Sequence, residues 1–476
     1  MKKIIITIAF ILSVSYCTFA QYGSVGIVDA KSMSLGKTYN ANTDGIYSIG
    51  INPSNMMFSP SSHFEFTTVL PLPDLSVKVG TNFMNFNDFN YFFGGDGTKD
   101  ANGKANARLL TDADKQRLFG LFSNSGNVFM NASFTTFAAM YKANSTVGAF
   151  GFTMSDFIGG SFTVPKALVD LGLNGNNPNQ VYSFNDVDGQ GWWIREYSLS
   201  YARELPEIPQ TIFDKIAVGL SIKMVQGFAY FGVDHVNANL TTGSGNSLGL
   251  KSEWMIKSAF SSDFGKIYDF DSLNTSKSKV GPFLTPAGTG LGIDFGVSAA
   301  YDEVWRFSLA ITDIGKINWN QNTAEYSGNS SLTITDLTDS TQRQSLSDSL
   351  KGKGHATSGF TTDLPTALRL GVSYNLTQYV PGSVLLALDY NQGFNNVPGN
   401  SKIGRWSLGI DWAPMGWLNL RTGFSVGGVD GFGWALGLGL DAGTVEFLFA
   451  TSDMNQVVMG NSGKMFTVSL GSRWKF

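Results

Sequence analysis

The sequence predicts an all-β chain: a transmembrane antiparallel β-barrel of about 14 or about 16 strands, preceded by an amino-terminal plug segment. Three observations carry that expectation. Apolar residues alternate with small or polar ones at a period of two in segment after segment, as required when one face of a strand meets lipid and the other meets water. Only 15 % of residues are charged, while Gly (55) and Phe (37) are abundant. Short joints alternate with long polar connections, which is the asymmetry of a barrel with turns on one side of the bilayer and loops on the other.

The elements follow in chain order. Lys2 and Lys3 precede the apolar run 4–14, and Thr18-Phe19-Ala20 offers small residues at the positions a signal peptidase reads. Residues 1–20 are therefore expected to be an export signal, since the run falls short of the roughly 20 residues a spanning helix needs. Cys17 is the sole cysteine and lies in the segment to be removed, so neither a disulfide nor a thiolate site is expected in the mature chain. Residues 21–62 are rich in Gly, Ser and Asn and lack sustained alternation. Gly36, Gly45, Gly50 and Pro53 suit a chain that turns inside a crowded lumen, so this segment is expected to be a plug or hatch.

Residues 63–476 are expected to form the barrel. Ile216, Val218, Leu220, Ile222 and Met224 share one face; Trp406, Leu408, Ile410 and Trp412 oppose Arg405, Ser407, Gly409 and Asp411. In the last strand Phe466, Val468, Leu470, Trp474 and Phe476 share a face broken only by Ser472. Aromatic residues at the ends of so many apolar stripes suit girdles at two lipid interfaces, which a soluble sandwich does not need.

The last strand is expected to descend to the periplasm, which puts the short joints 441–444, 413–416, 301–304 and 142–145 on that side. The long segments 94–127, 159–191, 263–288 and 318–359 then lie outside. Two of them carry helix signals: Thr111 with Asp112 and Asp114 before 115–122, and Pro165 before 166–171. Arg369, Asp389, Arg405, Asp411, Arg421, Asp441, Glu446, Arg473 and Lys475 all fall on lumen faces, where they pair across the barrel or line a solute path. Loss of Arg473 is expected to be mild, since water can replace its partner in an open lumen.

The terminal Trp474-Lys475-Phe476 resembles the carboxy-terminal signal of outer-membrane barrels. That likeness implies the outer membrane of a Gram-negative bacterium, with membrane lipid and the barrel assembly machinery as partners and Trp474 and Phe476 as the recognised side chains. Residues 33–57, MSLGKTYNANTDGIYSIGINPSNMM, resemble the start of the FadL/TodX-type channels for hydrophobic compounds. Leu35-Gly36, Asp44 and Asn52-Pro53 hold the places of the family's leucine-glycine pair, acidic turn and Asn-Pro motif, and Ser54-Asn55 departs from it mildly. Residues 308–319, SLAITDIGKINW, resemble an uncharacterised group of FadL-like barrels. The resemblance implies a plug within a barrel that normally has 14 strands.

Function classes narrow from here. The net charge of -4 and the absence of a basic stripe argue against nucleic acid. His63, His235 and His355 stand on separate segments without metal-ligand spacing, no nucleophile elbow is present, and neither cofactor nor catalytic residue is expected. The expected function is passive transport of small hydrophobic or amphipathic molecules, with solute passing the loop residues Phe119, Phe122, Phe157 and Phe162. The alternative is a non-enzymatic barrel component of an assembly or secretion complex, with a protein partner on the extracellular loops.

Overall fold

The computed structural model describes residues 29–59, 62–243, 247–268, 273–275, 278–279, 281, 283–336, 338–377 and 379–476. The expected export signal and its cleavage site lie outside the described residues. The strands close into one antiparallel barrel with 14 strand positions. In chain order these are β1 (Phe64–Thr68 with Asp74–Thr81), β2 (Ser125–Asn144), β3 (Gly148–Pro165), β4 (Gly189–Glu204) and β5 (Lys215–Thr242). Then come β6 (Leu248–Phe260 with Gly288–Tyr301), β7 (Trp305–Trp319 with Thr323–Ile334) and β8 (Lys353–Ala356, Phe360–Asp363 and Ala367–Asn375). The remainder are β9 (Ser383–Gly393), β10 (Arg405–Met415), β11 (Leu418–Gly427), β12 (Gly431–Asp441), β13 (Val445–Thr451) and β14 (Met465–Lys475).

Of the two strand numbers the sequence allows, the barrel has the smaller, and the reason is physical. Several alternating segments lie end to end in one position. Leu248–Phe260 pairs with the later half of β5 and Gly288–Tyr301 with its earlier half, so two segments form a single strand position. Thr323–Ile334, expected to be loop, extends β7 beyond its membrane-facing part and pairs with Leu248–Phe260. One face is polar throughout and the other, with Ala324, Tyr326, Leu332 and Ile334, is broken by Gly328 and Ser330, so no continuous lipid stripe betrays it.

The seam joins β14 to β1 with Leu75 opposite Leu470 and Phe66 opposite Trp474. The Phe476 carbonyl accepts from His63 N (2.9 Å) and Phe64 N (3.0 Å), which completes the ring of backbone hydrogen bonds a bilayer demands. Ser472 interrupts the outward apolar face for a local reason. The break in β1 at 69–73 covers it, and its hydroxyl donates to the Leu72 carbonyl at 2.7 Å.

Outward residues form an apolar belt: Leu199, Ile222, Leu291, Leu408 and Val468 are exposed from five different strands. Such a surface is stable only against lipid. Trp305 packs on Tyr374 (4.5 Å between ring centres) and Phe66 stacks on Trp474 (5.9 Å) near the short-turn end. Both helices read from the loops are present. Thr111 and Asp114 form a reciprocal capping box for Asp112–Gly120, and Pro165 precedes Lys166–Asn174.

Candidate functional site

The interior of the barrel is built around residues 29–59, nearly all of them buried. Asp29 caps the short helix Ala30–Ser34, its carboxylate accepting from Ser32 N at 2.9 Å. Leu35 and Gly36 then run against the inner faces of β10 and β11. Gly36 has φ +66°, and a methyl group there would meet the backbone of Gly423 and Phe424. Gly423 is equally constrained, since any side chain on it would overlap Leu35 and Gly36. Ser34 rests on Gly437 in the same way, whereas Gly433 and Gly439 face Ser425 and Arg421 of the wall instead.

The Asn52-Pro53 pair opens a 3₁₀ helix, Pro53–Phe58, and its asparagine is a hydrogen-bond hub. Asn52 Oδ1 accepts from Ser54 N (3.1 Å), while Nδ2 donates to Ser298 Oγ (3.2 Å) on β6 and Ser308 Oγ (2.5 Å) on β7. Asn55 extends the net, donating to the Asn40 carbonyl at 2.6 Å. Both asparagines are fully buried, where every amide group needs a partner.

The inward charges fall into separate groups. Arg369, Asp389 and Arg405 surround Tyr39: Asp389 Oδ2 accepts from Tyr39 N (2.6 Å) and Asn40 N (2.8 Å), and Arg405 donates to the Tyr39 hydroxyl (3.0 Å). Arg369 lies over the same ring at 5.2 Å. A second group runs Asp411, Arg421, Glu446, Arg473 and Asp44, with successive separations of 3.0, 3.3, 2.7 and 2.9 Å. Glu65 and Lys31 join it beside Arg473 and Asp44. Asp441 pairs with Lys475. The environment of Arg473 is thus a buried carboxylate cluster rather than open water, which changes the effect expected of its removal.

Two further groups escape a reading of the sequence. Asp430 binds Lys37 (2.7 Å) and Lys78 (2.8 Å), tying residues 29–59 to the β11–β12 connection. Burial holds the Lys37 amine down at about 8. Lys223 lies among Asp294 (3.1 Å), Glu196 (3.5 Å) and Asp313. Lys223 stands between outward Ile222 and Met224, so its inward facing is legible; its partners, on three other strands, are not.

Beside this group the wall is irregular. β7 pairs with β8 through residues 305–312 and again through 316–319; between them 313–315 and 364–366 leave the regular ladder and share one backbone hydrogen bond, from Leu364 N to Gly315 O at 3.0 Å. Asp313 takes φ +59°, an unusual conformation for a non-glycine residue. Its amide donates to Asp294 Oδ1 at 2.7 Å, and its carbonyl accepts from Thr366 Oγ1 at 2.7 Å. A cavity of about 150 Å³ reaches from residues 46–51 to Asp313 and Pro365 at this break, with Ile49, Ile51, Phe157, Trp192 and Ile194 in its lining. Of the loop phenylalanines read from the sequence, Phe157 lines the cavity. Phe122 is buried with Met84, Phe92 and Leu118 in a loop cluster, and Phe162 is exposed.

The model of a family of unknown function (DUF5723) matches residues 58–452. No curated protein matches the chain. Similar solved structures include the Ralstonia pickettii toluene transporter TbuX, 11 % identical with TM-score 0.47, covering 95 % of this chain and 99 % of that one. A Pseudomonas aeruginosa FadL homologue is 11 % identical with TM-score 0.48, covering 96 % and 100 %. The Pseudomonas putida toluene transporter TodX is 9 % identical with TM-score 0.43, covering 96 % and 98 %.

Proposed function

We propose that this chain, which belongs to the family of unknown function DUF5723, passes small hydrophobic or amphipathic molecules across the outer membrane of a Gram-negative bacterium. In this reading residues 21–62 are the plug, and Leu35, Gly36, Asp44, Asn52 and Pro53 hold it to the wall. The observation that carries the proposal is the cavity between residues 46–51 and the break in the β7–β8 ladder. Its lining, mainly apolar with interspersed hydroxyl groups, suits a hydrophobic or amphipathic solute that partitions rather than reacts, and no covalent step is required. A solute held there has the plug on one side and, on the other, a part of the wall where one backbone hydrogen bond, from Leu364 N to Gly315 O (3.0 Å), stands in place of the regular ladder. Sideways release into lipid would need less rupture of the ladder at 313–315 than elsewhere.

Purified barrels in liposomes test the proposal directly. Uptake of a labelled aromatic hydrocarbon or fatty acid above that of protein-free liposomes is expected. If a folded barrel passes neither, the role of a non-enzymatic component holding a protein partner on its loops replaces transport.

A further inference from the structure

Apolar side chains such as Ile49, Phe157 and Trp192 alternate with serines, threonines and Asn131 along the cavity, and one end of it is acidic. Asp29, Tyr47, Thr67 and Asp74 line that end. Glu196 and Asp313 line another part, with Lys223 as the single basic side chain of the lining among the described residues, already held by three carboxylates. Asp74 is 8 % exposed, and its carboxyl meets neither a hydrogen-bond donor nor a cation among the described residues. The Tyr47 hydroxyl, on a residue 5 % exposed, and the Thr67 hydroxyl, on one 1 % exposed, also lack hydrogen-bond partners there. Asp29 is partly engaged, accepting from Ser32 N (2.9 Å) and Ser32 Oγ (2.7 Å). Buried polar groups are ordinarily satisfied, and a carboxylate without a partner is the costliest exception.

We infer that this end of the cavity receives the ammonium group of a small amine with a compact apolar body, a substrate class that rests on the transport reading above. An ammonium brings three N–H donors and a positive charge. Asp74 supplies the principal acceptor and counter-charge; Asp29 and the two hydroxyl oxygens complete the set. The volume matches that of an apolar cavity able to take one benzene ring. A solute carrying a carboxylate would instead be pressed against Asp29 and Asp74, charges of its own sign.

Ethylbenzene, 2-phenylethylamine and phenylacetate share a size and differ in charge, so their binding to the purified full chain decides the matter. The amine is expected to bind on the order of tenfold more tightly than phenylacetate, the scale of a charge-assisted hydrogen bond. Asp74→Asn should abolish that preference and leave ethylbenzene binding unchanged. Tyr47→Phe, which removes one oxygen and keeps the ring, should weaken the amine alone by about threefold. Equal or tighter binding of phenylacetate, or an amine preference that survives Asp74→Asn in heat-modifiable protein, overturns the inference. Ethylbenzene binding without any amine preference overturns it too, while leaving hydrophobic transport standing. Failure of all three ligands removes both readings.

Discussion

Asn52 Nδ2 donates to Ser308 Oγ at 2.5 Å, across 256 positions of sequence. The bond joins two stretches singled out separately by resemblance, one in the amino-terminal segment and one on β7. It explains the Asn-Pro pair physically, since Pro53 sets the backbone of a 3₁₀ turn and Asn52 fastens that turn to two adjacent strands.

Replacing Asn52 and Pro53 together by alanine should therefore loosen the segment without opening the barrel. Leaving Ser298, Ser308 and Ser54 short of partners costs about 1–3 kcal/mol for buried polar groups. Single-channel recordings should show larger or noisier conductance to small ions. Unchanged conductance in a folded variant would count against residues 29–59 acting as a plug.

Arg473→Ala should be severe. The guanidinium neutralises Glu446, Asp44 and Glu65 and lies over Tyr47 at 5.0 Å. Removing one member of a buried ionic group costs about 3–5 kcal/mol, because the remaining charges lose their counter-ion. Yield of the compact form on unheated gels should fall markedly. A yield equal to wild type would mean that water reaches this cluster freely.

Gly423→Val should displace Leu35 and Gly36, since a side chain there overlaps both. Overpacking costs about 1–3 kcal/mol, and it falls on the contact between segment and wall rather than on the ladder. The expected outcome is a heat-modifiable barrel with raised conductance. Gly416→Ala, at a site with nothing within 4 Å of the added methyl, should resemble wild type.

Deleting residues 474–476 should abolish recovery from the outer-membrane fraction. Phe66 stacks on both Trp474 (5.9 Å) and Phe476 (6.0 Å), so the deletion strips the seam of its aromatic edge. Recovery of wild-type amounts in that fraction would show that neither the seam nor an assembly signal depends on these side chains.

Strand facing was legible from sequence because a period of two is a local property. Arg421, Glu446 and Arg473 needed only their neighbours to be placed inward. The strand count was harder, because Leu248–Phe260 and Gly288–Tyr301 share one position only through their common partners β5 and β7. The cavity was not legible at all. It brings Ile49 and Tyr47 of the amino-terminal segment to Phe157, Trp192 and Ile194 of the wall, and no spacing along the chain encodes that meeting. Asp74 and Asp313 were missed for the same reason: each is unremarkable until its surroundings are known.

The cluster around Arg473 also orders events in time. Its carboxylates come from the amino-terminal segment (Asp44), the first strand (Glu65) and the penultimate strand (Glu446), and its cation from the last. In a chain that emerges amino terminus first, Asp44 and Glu65 stay without this counter-ion until the far end follows, 429 positions after Asp44. Filling the interior and closing the wall are consequently one late, cooperative step, which a chain with truncated or substituted ends would reach and fail to complete.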